Sequence, residues 1–162
     1  MDAHSFLAFA ESMAGSARDN PTLPHFDAVC RSAISRAYYS LFLLARQFVE
    51  DLDIETRRIP NPHATLQQAL RNSGVLSLDR LADSLRSLSA DRAEADYDLR
   101  STSVESVTRV LDVINSARTA ILQLDIIRAG RLNPPLDRTA TAEAILKWAR
   151  ESGKPLWRKA TS

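Results

Sequence analysis

The side chains best placed to do chemistry are two arginines, each a few residues from a tyrosine. Along one segment Leu81, Leu85, Leu88, Arg92, Ala95 and Leu99 recur at steps of three and four residues, so Arg92 holds a place on an otherwise apolar seam. An arginine there must pair with a carboxylate, carry its head out to water, or line a cleft or interface. Asp96 follows four residues later on the same helical face, and Tyr97 comes directly after it. Two readings stand open. One is an Arg92–Asp96 pair that fixes a helix end. The other is a cleft arginine beside a phenol, suited to gripping phosphate. Arg36 repeats the pattern three residues before Tyr39. There, too, a surface arginine beside a half-buried tyrosine competes with an anion-binding one.

Histidine is the side chain that titrates near neutral pH, and the chain has 3: His4, His25 and His63. None follows Arg92. Arg57 and Arg58 precede His63 by a few residues, but Pro60 and Pro62 interrupt the stretch, so no helix aligns these side chains. His63 is kept as a candidate contact to an anion, while His4 and His25 stand at helix starts. The single Cys30 lies on an apolar stripe and reads as a buried, inert thiol in a reducing compartment. Asp91, Glu94, Asp96 and Asp98 cluster without paired Glu-x-x-His motifs, and there is no Gly-rich phosphate loop or Cys/His cluster. No metal and no cofactor is therefore expected.

Helices must position these groups. Glycine is scarce, no stretch alternates with a period of two, and no strand is expected. A first helix spans about His4 to Arg18. A second runs from near Pro24 to Leu52, with Phe26, Val29, Cys30, Ala33, Ile34, Ala37, Tyr38, Leu41, Ala45 and Phe48 on its stripe and Tyr39 and Leu43 on a second flank. Asn61 and Pro62 open a short third helix that stops at Asn72-Ser73-Gly74. The fourth starts at Ser77 or Asp79 and reaches towards Leu99. Thr102 and Glu105 suggest a capping box for an apolar fifth helix. Asn133-Pro134-Pro135 breaks the chain before a last helix over Thr139 to Glu151. The expected fold is all-α: an antiparallel bundle of four to five main helices over residues 1–132, and a C-terminal extension over 133–162 with a short helix and a basic tail.

The bulk numbers agree with such a bundle. Of 162 residues 44% are hydrophobic and 25% charged, enough for a core without disulfides or metals. A net charge of +1 gives no global pull towards nucleic acid or membrane. The start, Met1-Asp2-Ala3-His4, lacks the basic and apolar regions of a signal peptide, and no apolar run approaches ~20 residues, so a cytoplasmic protein without a membrane span is expected. The end is locally basic: Lys147, Arg150, Lys154, Arg158 and Lys159 accompany Trp148 and Trp157. They form either an RNA-contacting patch or a solvated face with Trp148 packed on the bundle and Trp157 meeting a partner.

Two segments together resemble the HEPN superfamily. They are Arg36-Ala37-Tyr38-Tyr39-Ser40-Leu41-Phe42 on helix two and Arg92-Ala93-Glu94-Ala95-Asp96-Tyr97-Asp98 on helix four. They are similar to the RAYY and R-x-x-ADY motifs of small bacterial and archaeal HEPN proteins. The resemblance covers about residues 3 to 130. It implies a bundle that homodimerises around a cleft and, in many members, a metal-independent endoribonuclease of toxin–antitoxin or phage-defence systems. Other members bind RNA or protein without cleaving, and several act beside a nucleotidyltransferase. The family's nuclease signature is an arginine followed four to six residues later by histidine. RNA cleavage through the 2′-hydroxyl needs a proton acceptor, a proton donor and a cation for the phosphorane charge. Here Arg92 matches the arginine, but Asp96 stands where a histidine is expected. An ordinary aspartate or tyrosine is a poor general acid–base at pH 7. The candidate residues are Arg92, Asp96 and Tyr97 for chemistry, and Arg36, Tyr39, His63 and Arg92 for RNA or nucleotide. The alternative function is a non-enzymatic module that binds a nucleotidyltransferase or another protein.

Overall fold

The computed structural model describes residues 2–56 and 59–159, which form an all-α helical bundle with one minimal β-ribbon. The helices are α1 (Ala3–Asp19), α2 (Phe26–Asp51), α3 (Pro62–Arg71), α4 (Leu76–Tyr97), α5 (Val107–Arg128) and α6 (Arg138–Glu151), with a 3-10 turn at Ser103–Glu105 before α5. No helix among the described residues is long and apolar enough to cross a membrane. The chain divides into two compact units. One comprises residues 1–43 and 84–121, the other 44–83 and 122–162.

In the first unit the small residues Ala10, Ala14 and Ala17 of α1 are fully buried. The first part of α2 buries Cys30, Ala33, Ile34, Ala37, Tyr38 and Leu41, the stripe anticipated from its three- and four-residue steps. Leu85, Leu88 and Ala95 of α4, and Val110, Val113, Ile114, Ala117 and Ala120 of α5, complete this core. The Asp2 side chain caps α1 by accepting from the His4 amide at 3.2 Å. The seam of α4 ends at Ala95. The helix stops at Tyr97, and Leu99 lies beyond it at 79% exposure.

The second unit packs Phe48 and Val49 of α2, Leu66, Ala69 and Leu70 of α3, Leu78, Leu81 and Ala82 of α4, Leu124 and Ile127 of α5, and Ala142, Ile145, Leu146 and Ala149 of α6. Residues 133–159 belong to this unit. The tail contributes a strand where none was expected. Strand β1 (Ile54–Glu55) pairs antiparallel with β2 (Trp157–Arg158), with Ile54 opposite Arg158 and Glu55 opposite Trp157. A two-residue strand leaves no alternation to read, and its partner lies about a hundred residues away in the chain. Leu156, 6% exposed, anchors the ribbon, and the Lys159 amide donates to the Asp53 carbonyl at 2.8 Å.

Two cap expectations need correction. Pro62 does open α3, but Asn61 adopts a left-handed conformation (φ 50°) and its side chain caps nothing. Thr102 and Glu105 form no capping box: Thr102 makes no side-chain cap bond, and the Glu105 carboxylate is taken by Arg31.

Candidate functional site

The first unit brings Arg36, Tyr39, Arg92, Asp96 and Tyr97 into one neighbourhood, using one face of α2 and the last two turns of α4. Arg92 Nε lies 2.7 Å from Asp96 Oδ2. Its N–H is not aimed at that oxygen, so the contact is an ion pair without a directed hydrogen bond. The outer Nη2 donates to the Tyr97 hydroxyl at 2.8 Å. The guanidinium is flanked by two rings, its carbon 5.5 Å from the Tyr39 centroid and 5.0 Å from that of Tyr97. Arginine favours such stacking because its charge is planar and weakly hydrated. Burial by itself would lower the Arg92 basicity, but the surrounding Tyr39, Asp96 and Tyr97 outweigh it and hold the group above its ordinary value. Arg92 is thus a permanent cation whose side chain keeps 16% of its surface exposed, next to a Tyr97 ring that is 71% exposed.

Tyr38 and Tyr39 divide the labour on α2. Tyr38 is buried, sits 5.4 Å centroid to centroid from Tyr39 and stacks on Phe42. Burial pushes its phenol up to about 12, against the opposing pull of a Ser89 hydrogen bond and the Arg92 charge. Tyr38 is a core residue, whereas Tyr39 is half-buried and supports Arg92.

Arg36 is exposed and makes no hydrogen bond or ion pair with the described residues. Its one described contact is with the Phe6 ring, 5.7 Å from guanidinium carbon to centroid. On one side of Arg36 lies a groove of about 300 Å³ bordered by Ser32, Ser35, Ala95 and Asp96. There Ser35 Oγ donates to Asp96 Oδ2 at 3.4 Å, leaving Oδ1 without a partner among the described residues. Arg36 and the Arg92–Asp96 pair therefore border the same concavity through Asp96.

The other acidic residues of the cluster disperse. Asp91 pairs with Arg109, and burial, outweighing that arginine, raises its carboxyl above the usual range. Glu94 accepts from the hydroxyls of Ser101 and Ser103, which hold it below that range. His63 stands near the start of α3, in the second unit. Arg57 and Arg58 lie outside the described residues. Among the basic tail residues Lys147 approaches Glu151 at 4.0 Å, and Lys159 Nζ donates to the Glu50 carbonyl. Arg150, Lys154 and Arg158 have no ion pair among the described residues. Trp148 is half-buried, and Trp157 on β2 is 46% exposed.

Sequence reasoning missed Arg31. It is 9% exposed and donates through Nη1 to the carbonyls of Ala95 and Asp98, both at 3.0 Å. Nη2 donates to the Ser101 carbonyl and, at 2.7 Å, to Glu105 Oε1. One guanidinium thus closes the C-terminal end of α4, where carbonyls lack helical partners and the dipole favours a cation, and fixes the turn that presents Asp96 and Tyr97. A signal was present: Arg31, Ile34, Tyr38, Leu41 and Ala45 form the same three–four seam that drew attention to Arg92.

No protein-family model matches this chain, and no curated protein or solved structure matches it significantly.

Proposed function

We propose that this chain is a HEPN-like RNA-binding module that grips single-stranded RNA without cleaving it by the family's usual route. The reading rests above all on one observation: an exposed tyrosine–arginine stack, Tyr97 over Arg92, beside an Arg36 that no carboxylate neutralises among the described residues. A phosphodiester supplies the missing counter-charge for Arg36, and a base can stack on the open face of Tyr97. Asp96 already engages Arg92, which weakens Arg92 as a stabiliser of a phosphorane and leaves it as the clamp that steadies Tyr97. No histidine follows Arg92 to move a proton. The RAYY and R-x-x-ADY segments support the HEPN assignment, and with it a homodimer and a toxin–antitoxin or phage-defence setting.

The test is to titrate a fluorescent 12-nucleotide single-stranded RNA with the purified chain and read anisotropy, then incubate the complex in EDTA and resolve the RNA on a gel. Binding that weakens about tenfold in Arg36→Ala, with the RNA intact, is expected; one lost charge-assisted contact is worth about that much. Cleavage in EDTA that disappears in Arg92→Ala would replace the binding reading with a nuclease. Absence of RNA binding at low salt would move the site to the alternative, a docking surface for a nucleotidyltransferase or other protein.

A further inference from the structure

Arg36 also borders a second, apolar pocket of about 460 Å³, lined with Ser5, Phe6 and Phe9 of α1. Its chemistry is one-sided: two phenyl rings, one hydroxyl, and one guanidinium at the rim. Phe9 is 55% exposed, on a helix whose buried residues are alanines. Arg36 already covers one face of Phe6, and it carries no counter-ion among the described residues. The pocket is therefore a shallow aromatic platform with an uncompensated positive charge at its edge.

We propose that this pocket is a nucleobase subsite: it takes the base of a nucleotide whose phosphodiester is held by Arg36, while the chain continues into the groove of Ser32, Ser35 and Asp96. The inference deepens the RNA reading and rests on it. The occupant follows from complementarity. A flat ring stacks on Phe6 and Phe9 in any orientation, because every base has a π-face. The adjacent phosphate meets the Arg36 guanidinium at the rim. A bare aliphatic anion would satisfy Arg36 but leave the ring faces without a matching plane. Among the described residues the pocket offers no set of buried donors and acceptors aimed into it, so it selects for the presence of a base rather than for its identity.

The arrangement separates two contributions that can be read independently. Arg36 acts through charge, so Arg36→Ala should lower the slope of log K against log salt by about 0.7. Phe9 acts through stacking, so Phe9→Ala should weaken RNA binding about tenfold and leave that slope unchanged. Phe9→Leu, which keeps the apolar area but not the ring, should recover only part of the loss. Affinity for long-chain inorganic polyphosphate, which has charge but no bases, should fall in Arg36→Ala and stay constant in Phe9→Ala. The exposure of Phe9 makes the folded state insensitive to its replacement, which a thermal melt checks.

If RNA binds and Phe9→Ala leaves its affinity unchanged, the subsite is overturned while the RNA reading stands. If Phe9→Ala instead shifts the molecular mass in light scattering without altering RNA affinity, the pocket is a contact between copies and the subsite is again overturned. If neither RNA nor polyphosphate binds, both readings fall together.

Discussion

Arg31 and Arg92 occupy equivalent-looking positions on apolar seams of two neighbouring elements, yet the molecule uses them in opposite ways. Arg31 is consumed by its own chain. It spends its donors on the carbonyls of Ala95, Asp98 and Ser101 and on the Glu105 carboxylate, and only 9% of it is exposed. Arg92 faces rings rather than carbonyls, makes one directed hydrogen bond, to Tyr97, and offers no partner to its Nη1 among the described residues. A seam arginine is thus a signal with two meanings. Backbone carbonyls at a helix end turn it into a rivet, whereas flanking tyrosines turn it into a surface that still has donors to give.

The largest effect should come from cutting the rivet. Arg31→Ala leaves Glu105 and several carbonyls without a partner and should cost on the order of 3–5 kcal/mol of stability, measured by urea denaturation. Arg31→Lys should recover little, because one ammonium cannot reach donors spread over a guanidinium fork. Near-parental stability in both variants would erase the distinction between the two arginines.

Arg92→Ala should be much milder for folding, about 1 kcal/mol, since it removes a partly exposed ion pair within one helix and two cation–π contacts. Its clearer consequence should be on RNA, because Tyr97 loses the hydroxyl contact that steadies its ring. The comparison sharpens in Arg92→Lys, which keeps the charge but not the plane. RNA affinity in that variant should lie close to that of Arg92→Ala, whereas affinity equal to the parent chain would reduce Arg92 to a point charge.

The smallest effect concerns pH. Ser101 and Ser103 hold Glu94 below the usual carboxylate range by donating to its charged form. Its folded value lies under its unfolded one, so this contribution is present at neutral pH and above. It fades as pH falls through the depressed folded value. Glu94→Gln should therefore lower the denaturation midpoint slightly at pH 7 and converge with the parent chain at acid pH. Parallel curves from pH 7 to pH 3 would show that the serines do not tune this group in solution.

Helix boundaries came within a few residues of their sequence expectations because they depend on local signals: Asp19-Asn20-Pro21, Pro62, Gly74 at φ 75°, and Asn133-Pro134-Pro135. The capping box at Thr102 failed for the opposite reason, since Glu105 had a stronger partner 74 positions away in Arg31. The β-ribbon was invisible because two residues carry no period. At the site, the four-residue step from Arg92 to Asp96 was enough to foretell their ion pair, a consequence of helical geometry alone. The same spacing could not say that Tyr39 from another helix would close over Arg92, nor that Phe6 and Phe9 of α1 would open a pocket beside Arg36.

Sequence by itself determined that this chain is helical, where its helices begin and end, and which polar residues interrupt their apolar faces, because each depends on propensities and spacings within a few turns. Tertiary structure alone decided which interruption became a rivet and which remained open. That choice is made by whatever lies across from each arginine, and side chains distant in sequence meet only once the helices have packed.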